Sequence, residues 1–311
     1  MSAIETQNLQ KVYGGKSAVQ SLDLNVPQGE VFGLLGPNGA GKTTTIMMLL
    51  GNIKPTSGSG GILGYPLGDI RARKKIGFLP EKFQFYDFLT AIEFLELHGK
   101  LAGMKAAERK KRIPQVLEQV GLADRSHSRI KEFSKGMQQR VGLAQAIIHS
   151  PDLVILDEPT SALDPLGRRD VRDIVLHLRQ QGCTVLLNSH LLSEIEMTCD
   201  RVAIMKKGEI VTQGKLEELL AFSSSVEIEV RDMNDAAMKA LRSVTTRIRM
   251  ERVPVTRMTA WVRSEEDIAR IAPAIVSNGS ILTALIPHRE TLEELFVRVI
   301  ENDTSSPSAA E

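Results

Sequence analysis

Apolar and polar positions follow two different rhythms along the chain. Val31-Phe32-Gly33-Leu34-Leu35 and Leu153-Val154-Ile155-Leu156 are apolar throughout, the pattern of strands buried on both faces. Thr184-Val185-Leu186-Leu187-Asn188 and Val202-Ala203-Ile204-Met205 repeat it, and Ile76-Gly77-Phe78-Leu79 reads as a shorter strand. Between these runs, Lys42–Leu50 and Val171–Gln180 read as helices. From Thr90 to about Ala123 the period is also helical, with Ile92, Phe94, Leu95, Leu97 and Leu101 on or near one face. Strands alternating with helices predict an α/β domain with a mostly parallel sheet. Residues 1–30 read as short strands with turns at Gly14-Gly15 and Pro27-Gln28-Gly29, and Lys206-Lys207-Gly208-Glu209 reads as a further turn.

The rhythm changes after Ser223-Ser224-Ser225, which reads as a linker. Val226-Glu227-Ile228-Glu229-Val230 alternates apolar and charged residues, as a strand covered on one face does. A helix (Ala236–Leu241), two strands (near Arg247–Val253 and Val255–Val262), a helix (Glu265–Val276) and a strand (Ser280–Ile286) follow. Together they make a βαββαβ unit of ferredoxin-like type. Leu292–Ile300 is a last amphipathic helix, and Glu301–Glu311 is small and polar, expected to be a disordered tail. The expected division is therefore residues 1–222, 223–300 and 301–311.

Composition narrows the class. A chain of 311 residues suggests two domains, at roughly 150 residues per domain. It is 42% hydrophobic and 25% charged, with 39 Lys+Arg against 38 Asp+Glu for a net charge of +1. That balance argues against a nucleic-acid clamp, and 4% aromatic content argues against a base-stacking platform. The 2 cysteines, Cys183 and Cys199, make neither a disulfide framework nor a zinc spacing. The N-terminus lacks the pattern of a signal peptide, and no run of about 18 apolar residues is present, so action at a membrane would go through a partner. The basic runs Arg71–Lys75 and Lys105–Arg112 read as solvated surface or as contacts to acidic lipid heads.

Two motifs carry chemistry. Gly36-Pro37-Asn38-Gly39-Ala40-Gly41-Lys42-Thr43 matches G-x-x-x-x-G-K-[ST] between a buried strand and a helix. Its glycines let successive N–H groups turn toward phosphate oxygens, and the helix adds its positive end. Lys42 can reach the β and γ phosphates, and the Thr43 hydroxyl can ligate Mg²⁺. Leu153-Val154-Ile155-Leu156 ends in Asp157-Glu158, acids at the carboxyl end of a parallel strand. Asp157 suits a Mg²⁺ partner, through a metal-bound water, and Glu158 suits a general base acting on the attacking water.

With these motifs in this order, residues 3–220 resemble the nucleotide-binding subunits of ABC transporters. Phe133-Ser134-Lys135-Gly136-Met137-Gln138-Gln139-Arg140 is similar to the family signature, with Lys135 and Met137 as departures and Ser134 and Gly136 kept. The resemblance implies a P-loop α/β fold with a RecA-like core, a β subdomain and a helical subdomain at about 85–150. It implies ATP with Mg²⁺, bound by Gly36–Thr43 and Thr44, with Tyr13 stacking on adenine. It implies that Ser134–Gln138 complete the site of a partner chain, that Ser161-Ala162-Leu163-Asp164 cross the dimer interface, and that His190, in Asn188-Ser189-His190, is the switch histidine beside Glu158. The family's Q-loop glutamine is replaced by Glu81 after Pro80, with Gln84 nearby; a carboxylate only accepts, whereas an amide also donates. Lys82–Leu89 would line the groove that meets the membrane partner.

The implied function is an ATPase that dimerises around two ATP and drives separate transmembrane permease subunits from the cytoplasmic face of the cell membrane, with no nucleic acid as partner. Residues 226–300 resemble the C-terminal extension of ABC-2 exporter ATPases, which would support dimerisation or regulation; the plainer reading is an appendage. They carry no catalytic constellation: His288 stands alone, and Glu265-Glu266-Asp267 reads as a helix start. Two other classes compete. One is an ABC-type ATPase without a membrane partner, whose members often carry paired nucleotide domains or long coiled coils. The other is a non-catalytic switch, against which Glu158 and His190 argue.

Overall fold

The computed structural model describes residues 1–161, 163–220, 225–252, 256–288 and 291–301. Ala162, Ser223, Ser224 and the expected tail from residue 302 lie outside the described residues. The chain forms two units: Met1–Leu216, rejoined by the chain from Phe296, and Glu217–Leu295.

The first unit opens with β1 (Ser2–Tyr13), β2 (Lys16–Leu22), β3 (Asn25–Pro27) and β4 (Val31–Leu35), then α1 (Lys42–Leu49). Next come β5 (Ser57–Ile62), β6 (Tyr65–Pro66), α2 (Ile70–Arg73) and β7 (Ile76–Leu79). The helical stretch holds α3 (Ala91–Leu101), α4 (Ala106–Gln119) and α5 (Lys135–Ile147). It is followed by β8 (Leu153–Asp157), α6 (Pro165–Gln180), β9 (Thr184–Asn188), α7 (Leu192–Thr198), β10 (Arg201–Lys206) and β11 (Glu209–Lys215), and α8 (Leu216–Leu220) spans the passage to the second unit. The turn expected at Lys206–Glu209 is the tip of the β10–β11 hairpin.

An eleven-stranded sheet runs in the order β6-β5-β1-β2-β11-β10-β4-β9-β8-β7, with β3 paired to β1. Its β10, β4, β9, β8 and β7 members are parallel. Every residue of β4, β8 and β9 is buried, which is why these segments read as unbroken apolar runs. The other half, around β1, is antiparallel.

Helix ends follow local chemistry. Thr90 and Glu93 form a capping box at the start of α3. Asp164 caps α6 by accepting from the Gly167 amide at 2.8 Å, and Pro165 occupies the first helical position. Val171, Ile174, Val175 and Leu178 then form the buried stripe of that helix. The reading of Lys105–Arg112 as solvated surface needs correction at Arg109. This residue is 8% exposed, its Nε donates to Glu96 at 2.9 Å, and its Nη1 donates to the Met104 carbonyl. A buried guanidinium requires such partners, so Arg109 ties α4 to α3.

The second unit contains β12 (Ser225–Arg231), α9 (Asp235–Val244), β13 (Arg247–Arg252), β14 (Thr256–Trp261), α10 (Glu265–Val276) and β15 (Ile281–His288). Its sheet is antiparallel in the order β13-β14-β12-β15, the ferredoxin-like arrangement expected. Val226, Ile228 and Val230 pack with Leu241, Ile271 and Ile275, the buried side of the alternation seen in the sequence. Ser225 is not a linker residue: it opens β12, pairs with Trp261 and is 7% exposed. The last helix, α11 (Leu292–Glu301), spans the point where the chain rejoins the first unit.

The seat of α5 on the core depends on Gly77 in β7. A Cβ there would lie 2.0 Å from the Ala146 carbonyl oxygen, a backbone atom that cannot swing away. Gly77→Ala should destabilise the first unit by about 3 kcal/mol, the upper range for overpacking. Denaturant unfolding checks this; an unchanged midpoint would show that α5 is free to shift.

Candidate functional site

The parallel strands end together. Leu34 pairs with Asn188, Asn188 with Asp157, Leu156 with Leu79, and Leu35 with Ile204. The Gly36 loop, Asn188, Asp157 and the Pro80-Glu81 segment therefore emerge along one edge, where open α/β sheets bind ligands.

The glycine-rich loop turns into α1 through Gly41, whose φ of 104° is left-handed. As N-cap it offers no side chain, so the amides of Lys42, Thr43 and Thr44 lack an intrahelical acceptor. These donors, the helix dipole and Lys42 make an anion site. Lys42 is 9% exposed, and its Nζ donates to the Gly36 and Pro37 carbonyls at 2.6 and 3.2 Å. Burial holds its pKa below the ordinary lysine value, against the opposing charges of Glu158 and Asp157. The loop forms one wall of a cleft of about 410 Å³ lined by Tyr13, Lys16, Ser17, Ala18 and Asn38–Thr44. Tyr13 is half exposed there, with the Lys11 ammonium 4.9 Å from its ring centre.

Asp157 is 3% exposed and accepts on Oδ1 from Asn188 Nδ2. Burial raises its pKa; the Asn188 donor opposes that, the Glu81 charge adds to it, and Lys42 opposes it. Glu158 turns off the strand with φ 53°, a left-handed conformation that costs about 1–2 kcal/mol for a non-glycine residue. Three neighbours hold it there: its amide donates to the Asn188 carbonyl at 2.8 Å, its carbonyl accepts from Ser161 Oγ at 3.0 Å and the Ser161 amide at 3.2 Å, and its carboxylate lies 2.7 Å from His190 Nδ1. The His190 side chain is 59% exposed and that of Glu158 13%, so the imidazole is the solvent-facing member of the pair.

Ser134 is exposed and caps α5 by accepting from the Met137 amide at 3.3 Å. Lys135 is exposed, and Gly136, Met137 and Gln138 are half-buried. Among the described residues, none of these five lines the cleft beside the phosphate loop. Leu163 is buried, and Asp164 caps its own helix. The structure thus brings Lys42, Asp157, Glu158 and His190 together, sets Tyr13 in the cleft, and leaves Ser134–Gln138 outside the lining of that cleft.

Residues 19–161 match the family described as ABC transporter. An ABC transporter ATP-binding protein of Synechocystis is 39% identical over 308 residues, covering 96% of this chain and 84% of its own length. The bacitracin transport ATP-binding protein of Bacillus licheniformis is 35% identical over 306 residues, covering 97% and 98%. Among solved structures, a dimeric ATP-binding cassette in a post-hydrolysis state, bound to ADP and Pi, matches with a TM-score of 0.62 and 28% identity over 68% of this chain and 98% of that one.

The chain belongs to the ABC transporter ATP-binding proteins. It is an ATPase. Its fold is the ABC cassette of the P-loop class, with the ferredoxin-like unit as an addition.

The cassette's donor set fits Mg²⁺ held mainly by phosphate and water. Among the described residues no cluster of three or more His, Cys, Asp or Glu is placed to hold a metal alone. Mg²⁺ needs only one or two protein oxygens when phosphates supply others. Thr43 is exposed at the cleft, and Asp157 keeps Oδ2 clear of the Asn188 bond. Sequence reasoning passed over Lys11, Lys16 and the side chain of Asn188. Only Asn188 had a signal: an amide closing the buried run Thr184–Leu187 needs a partner.

Gly41→Ala should weaken ATP binding at least about tenfold. The left-handed backbone alone penalises a Cβ by about 1–2 kcal/mol, and the added atom would meet the Ala18 carbonyl oxygen at 2.6 Å. Titration with a fluorescent ATP analogue checks it; an unaltered Kd would contradict the tight packing of loop against β2.

Proposed function

We propose that this chain is the energising subunit of an ABC-2 type exporter, pairing with a second copy around two ATP and driving separate transmembrane permease subunits. The observation that carries the reading is the split of the machinery. The cleft has a phosphate loop and an acid pair, while the signature helix end, with its Ser134 cap, is exposed elsewhere on the same chain. A second chain supplies what the first lacks. The dimeric cassette bound to ADP and Pi supports the pairing, and the bacitracin transport relative supports an exporter. Among the described residues no helix is long and apolar enough to cross a membrane, in keeping with a separate permease.

In this reading Tyr13 stacks on adenine, and Gly36–Thr44 with Lys42 bind the phosphates. Thr43 and Asp157, the latter through water, hold Mg²⁺, which supplies charge neutralisation at the transferring phosphoryl group. Glu158 takes a proton from the attacking water, and His190 fixes the Glu158 carboxylate while its exposed edge meets the γ-phosphate. Ser134–Gln138 of the partner cover that phosphate, and Ser161–Asp164 line the interface. Glu81 takes the Q-loop position beside Asp157. The stretch Lys82–Leu89, with Tyr86 and Phe88 exposed, receives the permease at the cytoplasmic face of the membrane. The ferredoxin-like unit serves dimerisation or regulation.

Two outcomes are expected. Glu158→Gln should keep ATP binding, accumulate a dimer visible by size-exclusion chromatography, and slow hydrolysis by roughly 10²–10⁴; near-normal turnover would remove Glu158 as base. Lys42→Ala and Ser134→Arg chains, each inactive alone, should regain part of the ATPase rate when mixed, because one mixed site has both intact halves. Absence of rescue would count against shared sites.

A further inference from the structure

Strand β9 ends in a residue that the catalytic reading does not use. Asn188 is 2% exposed and lies opposite Asp157 in the parallel register. Its Nδ2 donates to Asp157 Oδ1, and among the described residues its Oδ1 has no donor despite being buried. A buried amide with one end orphaned calls for an explanation, and here the bonded end supplies it. The opposite amide orientation would set Oδ1 against a carboxylate oxygen, so the Asp157 contact fixes the orientation seen.

The surroundings sharpen this. The Asn188 carbonyl accepts from the Glu158 amide, so one residue holds both acids, one by main chain and one by side chain. On the far side of Asp157 the chain presents another carboxylate, Glu81, and no second side-chain donor to Asp157 is present among the described residues. Lys42 acts on Asp157 as a charge but donates to the Gly36 and Pro37 carbonyls, so the hydrogen bond that gives the carboxylate its direction is the one from Asn188.

We propose that Asn188 is the positioning residue of the metal-side carboxylate, its amide N–H fixing Asp157 Oδ1 and leaving Oδ2 as the oxygen offered to the metal-bound water. This rests on the reading of Asp157 as the Mg²⁺ partner. Partners that orient a metal-side group typically change metal affinity by about 10–100-fold when removed.

The test separates metal binding from nucleotide binding and from turnover. Mn²⁺ is titrated by electron paramagnetic resonance into full-length protein saturated with a non-hydrolysable ATP analogue, for wild type, Asn188→Leu, Asn188→Asp and Asp157→Asn. Affinity for the analogue is measured separately in EDTA, together with the melting temperature. Asn188→Leu should raise the half-saturating Mn²⁺ concentration by about tenfold or more and leave the EDTA affinity unchanged. Asn188→Asp, which sets a carboxylate against Asp157, should raise it further and serves if the leucine variant does not fold. A normal Mn²⁺ midpoint in either folded variant, or loss of EDTA affinity in step with Mn²⁺ affinity, would overturn the proposal. If Asp157→Asn also leaves the midpoint unchanged, the metal reading of Asp157 fails instead.

Discussion

A lysine with 9% of its surface exposed lies in the field of two carboxylates at the end of an apolar sheet, while its hydrogen bonds go to the Gly36 and Pro37 carbonyls. Burying one ammonium without partners costs several kcal/mol, and burying the acids alone costs as much. Each sign therefore stabilises the other, but only at the right separation. That separation is set by strand register: Leu34 to Asn188 to Asp157 is a run of parallel pairings. A slip of one residue would turn Asp157 to the opposite face and remove one of the two charges that oppose the desolvation of Lys42. The complete burial of β4, β8 and β9 is thus a condition of the chemistry as well as of stability.

The same edge stores strain where it is used. Glu158 is left-handed, and its amide, its carbonyl and its carboxylate each have a bond that holds it so. Two of the three partners, Asn188 and His190, belong to the end of β9 or the turn after it. The strand that reads as plain core in its first four residues becomes the scaffold of both acids in its last. The remaining anchor, Ser161, opens the segment proposed for the dimer interface, so displacement of that segment would act on the backbone of Glu158.

Much of this was legible in the residues. The apolar runs mark the buried parallel strands because a strand covered on both faces has no use for polar positions, and β9 falls on Thr184–Asn188 as read. The phosphate loop was legible because few backbones turn an apolar strand into a helix through three glycines. The ferredoxin-like unit was legible from alternation, as in Val226–Val230. What escaped depends on distances between segments far apart in the chain. Arg109 looked solvated because a basic run carries no mark of the Glu96 that buries one member of it. Ser225 looked like linker because serine runs are ambiguous until a partner strand is known. The left-handed turn at Glu158 leaves no composition signal at all.

One strand also connects the chemistry to the surface proposed for the permease. β7 leads into Glu81, and its Gly77 lies directly beneath α5, whose first turn is capped by Ser134. The segment after Glu81 returns to that same helix: a Cβ on Gly142 would lie 3.6 Å from the Phe85 ring. Phe85 and Phe83 also pack, tilted and edge-on, with ring centres 5.8 and 6.0 Å from that of Phe94 on α3. The exposed Tyr86 and Phe88 follow these rings in the chain, with their own ring centres 6.2 Å apart. Close packing makes such a cluster transmit displacement rather than absorb it. In the proposed function, a permease seated on Tyr86 and Phe88 would act on a segment packed against both the helix that carries Ser134 and α3, directly after the loop that carries Glu81.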